Sequence, residues 1–135
     1  MTNLARDRGA TAVEVALLMP IVLVLVMGIV DFGWAVRAQI TLTQAAREGV
    51  RVAALGQPNP GGRTKAAATS LNPAEVGVSV TACPAGGKPG ESSAEVTATH
   101  TYDFITPVGG LAGLFGGGGF GAPISLSATG VMPCG

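Results

Sequence analysis

The sequence has little charge, few aromatic side chains and a single histidine. Its 135 residues include 8 basic and 8 acidic side chains, four Phe, one Trp and one Tyr. Nucleic acid is not an expected partner, because phosphate binding needs clustered Lys and Arg. His100 has no Ser or Cys placed with it in a nucleophile motif, and side chains that could bind a metal are few. We therefore expect no enzyme activity and no bound metal, cofactor or small-molecule substrate.

Cysteine is also scarce: Cys83 and Cys134 are the only two, and both follow the longest apolar run. Residues from about Ala45 onward are rich in Gly, Pro, Ala and Thr, so they can build only a thin core that needs further support. One disulfide in an oxidising compartment would supply this support. It would close a loop of about fifty residues, which stabilises the folded state by about 4 kcal/mol in the chain-entropy model. Two unpaired thiols in a reducing compartment are the alternative.

A long apolar segment is what the sequence does contain. Residues 15–36 read VALLMPIVLVLVMGIVDFGWAV, and Asp31 is the only charged residue among them. They span about 33 Å as a helix, enough to cross a hydrocarbon core of about 30 Å. Trp34 fits the membrane interface, and Arg6 and Arg8 predict a cytoplasmic N-terminus with the rest of the chain exported. We expect a single pass through a membrane.

The apolar helix is predicted to continue well beyond the membrane. A cleavable secretory signal is not favoured, because residues 34–37 (WAVR) lack a small-x-small cleavage site. Helix-compatible sequence runs on to Gly56 and Pro58, which form a stop signal. One helix of about 44 residues is therefore predicted over residues 12–55, with a local kink at Pro20.

Small residues recur every four positions on the outer part of this helix, which follows the apolar segment and comprises residues 37–55. Ala45, Gly49 and Ala53 form a face nearly free of side chains, which lets another backbone or a sheet approach closely. We interpret this face as the packing surface of an amphipathic helix on its own domain. A ligand site is the alternative interpretation.

A carboxylate, Glu14, stands in the first turn of the predicted helix, where the apolar segment begins. A charge deep in hydrocarbon costs about 2.5–3.5 kcal/mol on insertion scales, so its presence needs a reason. Gly9 lies five residues before it, behind Arg6 and Arg8. Glu14 either caps a membrane helix or belongs to a processing site at the glycine.

Four motifs within residues 8–54 together carry a family resemblance. They are RGATAVE at 8–14, LMP at 18–20, GIVDFG at 28–33 and AAREGVR at 45–51. As a set, they resemble the TadE-like proteins, which are pseudopilins or minor pilins of the tight-adherence (Flp-type) pilus machinery of bacteria. The rest of the chain resembles this family only in its strand-rich, glycine-rich character.

The resemblance implies a class III leader peptide that a prepilin peptidase removes on the cytoplasmic side. Gly9 would precede the cut, Ala10 would become the new N-terminus, and Glu14 would be the fifth residue of the mature chain. Glycine leaves the backbone unobstructed for the peptidase, and the helix dipole favours a carboxylate in the first turn. In a filament, Glu14 could neutralise the free amine of a neighbour's Ala10.

The implied organisation has four parts: a leader at 1–9, a transmembrane segment at 10–36, an exported continuation of the helix at 37–55, and a small Gly-rich β domain at 56–135. The implied partners are the prepilin peptidase, other pilins or pseudopilins, the inner-membrane assembly platform and the membrane itself. The expected role is in assembly, priming or capping of an adhesive pilus, and the chain could also reside in the extracellular pilus. The alternative is a single-pass anchor that displays a binding domain and never joins a filament.

The exported domain is predicted to be small and strand-rich. A short helix is predicted over residues 63–71, and period-2 alternation predicts strands near 76–82, 94–104 and 124–129. Continuing the alternation along the second strand places His100, Tyr102 and Phe104 on its apolar face. The apolar face of the last strand is predicted to carry Ile124, Leu126 and Ala128. About three antiparallel strands would pack on the small-residue face of the long helix, an α+β, pilin-like fold.

A glycine-rich segment separates the last two predicted strands. Residues 108–122 read VGGLAGLFGGGGFGA, and Gly116, Gly118 and Gly121 formally match a dinucleotide fingerprint. The match does not open a helix after a strand, so phosphate binding is not expected. We expect a flexible loop. The alternative interpretation is that its large apolar residues also contact another subunit: Leu111, Leu114, Phe115 and Phe120.

Overall fold

The structure of the chain is a computed structural model. It describes residues 3–85, 90–107, 109–110, 113, 116 and 121–135, with the backbone alone for residues 3–8. The residues predicted to make subunit contacts in the glycine-rich segment, together with Gly118, lie outside the described part.

The long helix, α1, spans Asn3–Ala54, a length of 52 residues. It begins nine residues before the predicted start, so the predicted N-terminal boundary is wrong. The physical reason is that residues 4–8 include Leu, Ala and Arg, which are strong helix formers, and one glycine at position 9 costs only about 1 kcal/mol. The helix is continuous across Pro20. The kink there stays a prediction.

Glycine ends α1 where the sequence predicted a stop. Gly56 has a positive φ of 62°, which suits a residue without a Cβ. Its N–H donates to the carbonyl of Ala53 at 3.1 Å, and the N–H of Gln57 donates to the carbonyl of Val52 at 3.0 Å. These two bonds form a Schellman motif that satisfies the last carbonyls of the helix.

The second helix, α2, spans Pro60–Ala67, whereas residues 63–71 were predicted. Asn59 is the N-cap, and its side chain accepts a bond of 2.9 Å from the N–H of Gly62. Pro60 occupies the first turn, where its missing N–H has no cost. This start signal was overlooked because Pro and Gly were assigned to a turn.

Three antiparallel strands form one sheet in the order β1-β2-β3: β1 (Gly77–Thr81), β2 (Ser93–Tyr102) and β3 (Ile124–Pro133). The predicted alternation is confirmed in β2, where His100 and Tyr102 are buried. Two details were wrong: Phe104 lies beyond the end of β2, and Ile124 is exposed at the start of β3. A residue at the end of a strand has neighbours on one side only, so the alternation of the sequence does not predict whether its side chain is buried.

The described residues fall into two compact units. One comprises Met1–Gly33 with Phe104–Ala122, and the other comprises Trp34–Asp103 with Pro123–Gly135. In the second unit the sheet packs on the outer part of α1, burying Ala45, Ala46 and Ala98 in one cluster and Val50, Ala53 and Val96 in another. Leu55 follows the last residue of α1 and is exposed. The α+β fold with a three-stranded antiparallel sheet is confirmed.

Candidate functional site

Most of the apolar part of α1 is left exposed by the described chain. Among the described residues, one helix, within Gly9–Ala54, is long and apolar enough to cross a membrane. Large apolar side chains are exposed along it, with Leu17 and Phe32 both at 71%. A helix that is apolar all round is stable only when lipid or other protein surrounds it. This helix is consistent with a single-pass membrane anchor.

Gly9, Ala10 and Glu14 all lie inside α1 and are exposed. A Cβ placed on Gly9 would meet nothing within 4 Å. Glu14 was expected in the first helical turn, but the helix begins eleven residues earlier, at Asn3, so Glu14 lies in its fourth turn. The structure therefore places the three residues on one accessible stretch of helix, and their role in processing stays a prediction.

Asp31 is the most constrained charged side chain of the apolar segment. It is only 1% exposed. Its Oδ1 accepts hydrogen bonds from the backbone N–H groups of Ile105 at 3.0 Å and Thr106 at 3.2 Å. Its Oδ2 accepts a bond from the hydroxyl of Thr106. All these groups belong to the first compact unit.

In the sequence, Asp31 was an interruption of the apolar run and part of the GIVDFG motif, with no partner predicted for it. A carboxylate in such a run is itself a signal that polar partners exist. The partners were not predictable, because they lie 74 and 75 residues further along the chain and belong to no recognisable motif.

The small-residue face of α1 is occupied by its own domain. Ala45 and Ala53 are buried, and a Cβ on Gly49 would lie 1.9 Å from the Thr64 hydroxyl oxygen of α2. A second close approach involves Gly130 of β3, whose added Cβ would lie 2.9 Å from the carbonyl oxygen of Ala46. The sequence did not predict this second approach, because it depends on the register of β3 against α1.

Glu48 of α1 binds two arginines, Arg51 on the same helix and Arg63 on α2. Its Oε1 accepts bonds of 3.0 Å from Arg51 and from Arg63, and its Oε2 accepts one of 3.1 Å from Arg51. These hydrogen bonds hold the pKa of the Glu48 carboxyl below its usual range and raise the pKa of the Arg51 guanidinium. Both arginines are more than half exposed, so water screens the contribution of the network to stability.

The predicted disulfide is confirmed. Cys83 follows β1 and Cys134 follows β3, with their Cα atoms 5.9 Å apart and a sequence separation of 51. The Cys134 N–H also donates to the carbonyl of Ser92 at 2.9 Å. The cross-link therefore joins the two outer strands of the sheet at one end, near the C-terminal end of the described chain.

His100 occupies the apolar face of β2, as predicted, and is 8% exposed. Its Nδ1 is buried and has no hydrogen-bond partner among the described residues. Within the same part of the chain, no group of three or more His, Cys, Asp or Glu side chains could hold a metal ion.

The described residues thus define a membrane-capable helix whose outer part forms the core of a small, disulfide-bonded α+β domain. The family model described as TadE-like protein matches residues 9–51, so this helical segment is TadE-like and the predicted resemblance is confirmed over it. The family suggests a pseudopilin associated with a tight-adherence pilus, and implies association with pilus assembly components and a membrane. No curated protein and no solved structure matches the chain.

Proposed function

We propose that the chain is a pseudopilin or minor pilin of a tight-adherence (Flp-type) pilus system, with no catalytic role of its own. It acts in assembly, priming or capping, in contact with other pilins and the inner-membrane assembly platform. The observation that carries this proposal is the TadE-like match over residues 9–51. The match begins at the glycine of the proposed cleavage site and continues into the part of α1 that packs on the sheet.

Processing between Gly9 and Ala10 would require local unwinding, because the bond lies inside α1. Two properties of the site favour this. Glycine is about 1 kcal/mol less favourable than alanine in a helix interior, and no neighbouring group lies within 4 Å of a Cβ built on Gly9. Cleavage would also make Glu14 the fifth residue of the shortened helix, close to the N-terminal end where the dipole favours a carboxylate.

In the filament, Glu14 would pair with the new amino group at Ala10 of a neighbouring subunit. The exposed apolar surface of α1 supports this model, since helices of adjacent subunits would cover side chains that the described chain leaves open. The pair would remove two charges from an apolar contact, which is why the carboxylate is needed despite its cost.

Incorporation into pili tests the proposal. Glu14→Ala should be processed and remain in the membrane, yet be lost from sheared pili, because the neighbour's amine would stay uncompensated. Val13→Ala is the matched control, since Val13 is also exposed on the same turn and carries no charge. Val13→Ala should be recovered from pili as the unsubstituted chain is.

Unchanged incorporation of Glu14→Ala would contradict the role of Glu14. Absence of the unsubstituted chain from pili, together with stable membrane retention, would favour the second candidate, a single-pass anchor that displays a binding domain. The confirmed disulfide and the core built on the outer part of α1 favour that candidate, because they hold the exported domain together without a filament.

A further inference from the structure

The contacts of Asp31 have no explanation in filament packing or leader processing. This carboxylate lies on the apolar helix, and its described partners come from residues 105–106, beyond the end of β2. Within the first compact unit, the described residues after β2 therefore contact the apolar helix at Asp31.

The hydrogen bonds at Asp31 satisfy both sides of the contact. A carboxylate removed from water is costly unless each oxygen accepts hydrogen bonds, and here Oδ1 accepts two and Oδ2 one. The N–H groups of Ile105 and Thr106 are likewise satisfied. Non-helical backbone at membrane depth needs protein around its polar groups, and Asp31 supplies that protein for the N–H groups of Ile105 and Thr106.

The position along α1 sets the depth of this contact. Asp31 precedes Trp34 by three residues, about 4.5 Å along a helix axis. Tryptophan gathers at the membrane interface, so Asp31 and its partners would lie on the hydrocarbon side of that level. Ile105 is 64% exposed and Phe32, next to Asp31, is 71% exposed, so apolar surface is open there.

The sequence around this contact also suits lipid. No charged residue and no histidine occurs anywhere from Phe104 to Gly135. Charged side chains would oppose entry into the acyl region, and their absence removes that barrier.

We propose that residues 104–107 form a second membrane contact, in which Ile105 enters the acyl region of the outer leaflet and Asp31 is the positioning residue. The occupant of this surface is the lipid bilayer. The inference rests on the membrane anchoring contained in the proposed function. The inference extends the proposed function, because a second segment of the first compact unit, residues 104–107, would contact the membrane in addition to the apolar helix.

Quenching of tryptophan fluorescence by brominated lipids tests this placement in the full-length protein. The chain has one tryptophan, so Trp34→Phe supplies a silent background. Into it we would introduce Ile105→Trp as the probe, Leu17→Trp as a deep membrane control, and Thr101→Trp as an exposed control on β2. The vesicles would contain phosphatidylcholine and phosphatidylglycerol with brominated acyl chains.

We expect the Ile105→Trp probe to be quenched to an extent approaching that of Leu17→Trp, while Thr101→Trp is not quenched. Adding Asp31→Ala should abolish quenching at position 105 and leave Leu17→Trp quenched, because the helix stays inserted. Adding Thr106→Val, which removes one of the donors to Asp31, should reduce quenching at position 105 only in part.

An Ile105→Trp probe as unquenched as Thr101→Trp, beside a quenched Leu17→Trp, would overturn the second contact and leave the anchor intact. Quenching at position 105 that persists in Asp31→Ala would overturn the positioning role of Asp31. An unquenched Leu17→Trp would instead contradict the membrane anchor itself, and with it the proposed function.

Discussion

The two parts of α1 differ in what stabilises them. Between residues 13 and 30 most side chains are exposed, whereas between residues 42 and 54 the side chains facing the sheet are buried. The outer part is held by its own domain through alanine, valine and glycine contacts. The inner part depends on surroundings outside the chain, so substitutions in the two parts should be detected by different measurements.

The largest expected effect in the α+β domain comes from the disulfide. Replacing Cys83 and Cys134 together with serine should lower the free energy of unfolding by about 4 kcal/mol, because the loop is no longer closed in the unfolded chain. Chemical denaturation of the detergent-solubilised protein, followed by circular dichroism, measures this. Retention in the membrane should not change, since both cysteines lie outside α1. Equal unfolding free energies would contradict the stabilising role of the cross-link.

A matched pair of glycine substitutions, one in each part of α1, compares how much the two parts contribute to the free energy of unfolding. Gly49→Val should destabilise the α+β domain by about 1–3 kcal/mol through overpacking, because even a Cβ would lie 1.9 Å from the Thr64 hydroxyl oxygen. Gly28→Val should leave its unfolding unchanged, since nothing lies within 4 Å of that position. The same denaturation experiment compares them. Similar losses in both variants would show that the close contact at Gly49 is not the cause.

The smallest expected effect is electrostatic and confined to the outer part. The folded state holds the pKa of Glu48 below its usual range, so the network stabilises the domain at neutral pH and loses this contribution as pH falls through the lowered pKa. Unfolding measured at a series of acidic pH values should show a shallower decline in Glu48→Gln than in the unsubstituted chain. High salt should diminish the difference, because the arginines are exposed. Identical pH profiles would contradict this assignment.

Local patterns predicted much of the fold. The alternation in β2, the stop at Gly56 and the packing of Ala45 against the sheet follow from side-chain periodicity and from the conformational freedom of glycine. The single disulfide was predictable because only two cysteines exist. These features need little or no information about distant parts of the chain.

The features that the sequence did not predict depend on long-range geometry or on weak local signals. The contacts of Asp31 with residues 105 and 106, and the approach of Gly130 to Ala46, join segments far apart in sequence. The start of α1 was missed because the apolar run was taken as the helix boundary, although helix propensity extends further. The bounds of the leader and of the membrane segment stay predictions.

The central claim is that the inner part of α1 begins, in the mature protein, at a processed N-terminus. Intact-mass and N-terminal analysis of the protein isolated from its native membrane under non-reducing conditions tests this most directly. We predict a chain that starts at Ala10 and retains the Cys83–Cys134 disulfide. A mature chain that starts at Met1, or near Ala38 as after removal of a secretory signal, would contradict the claim.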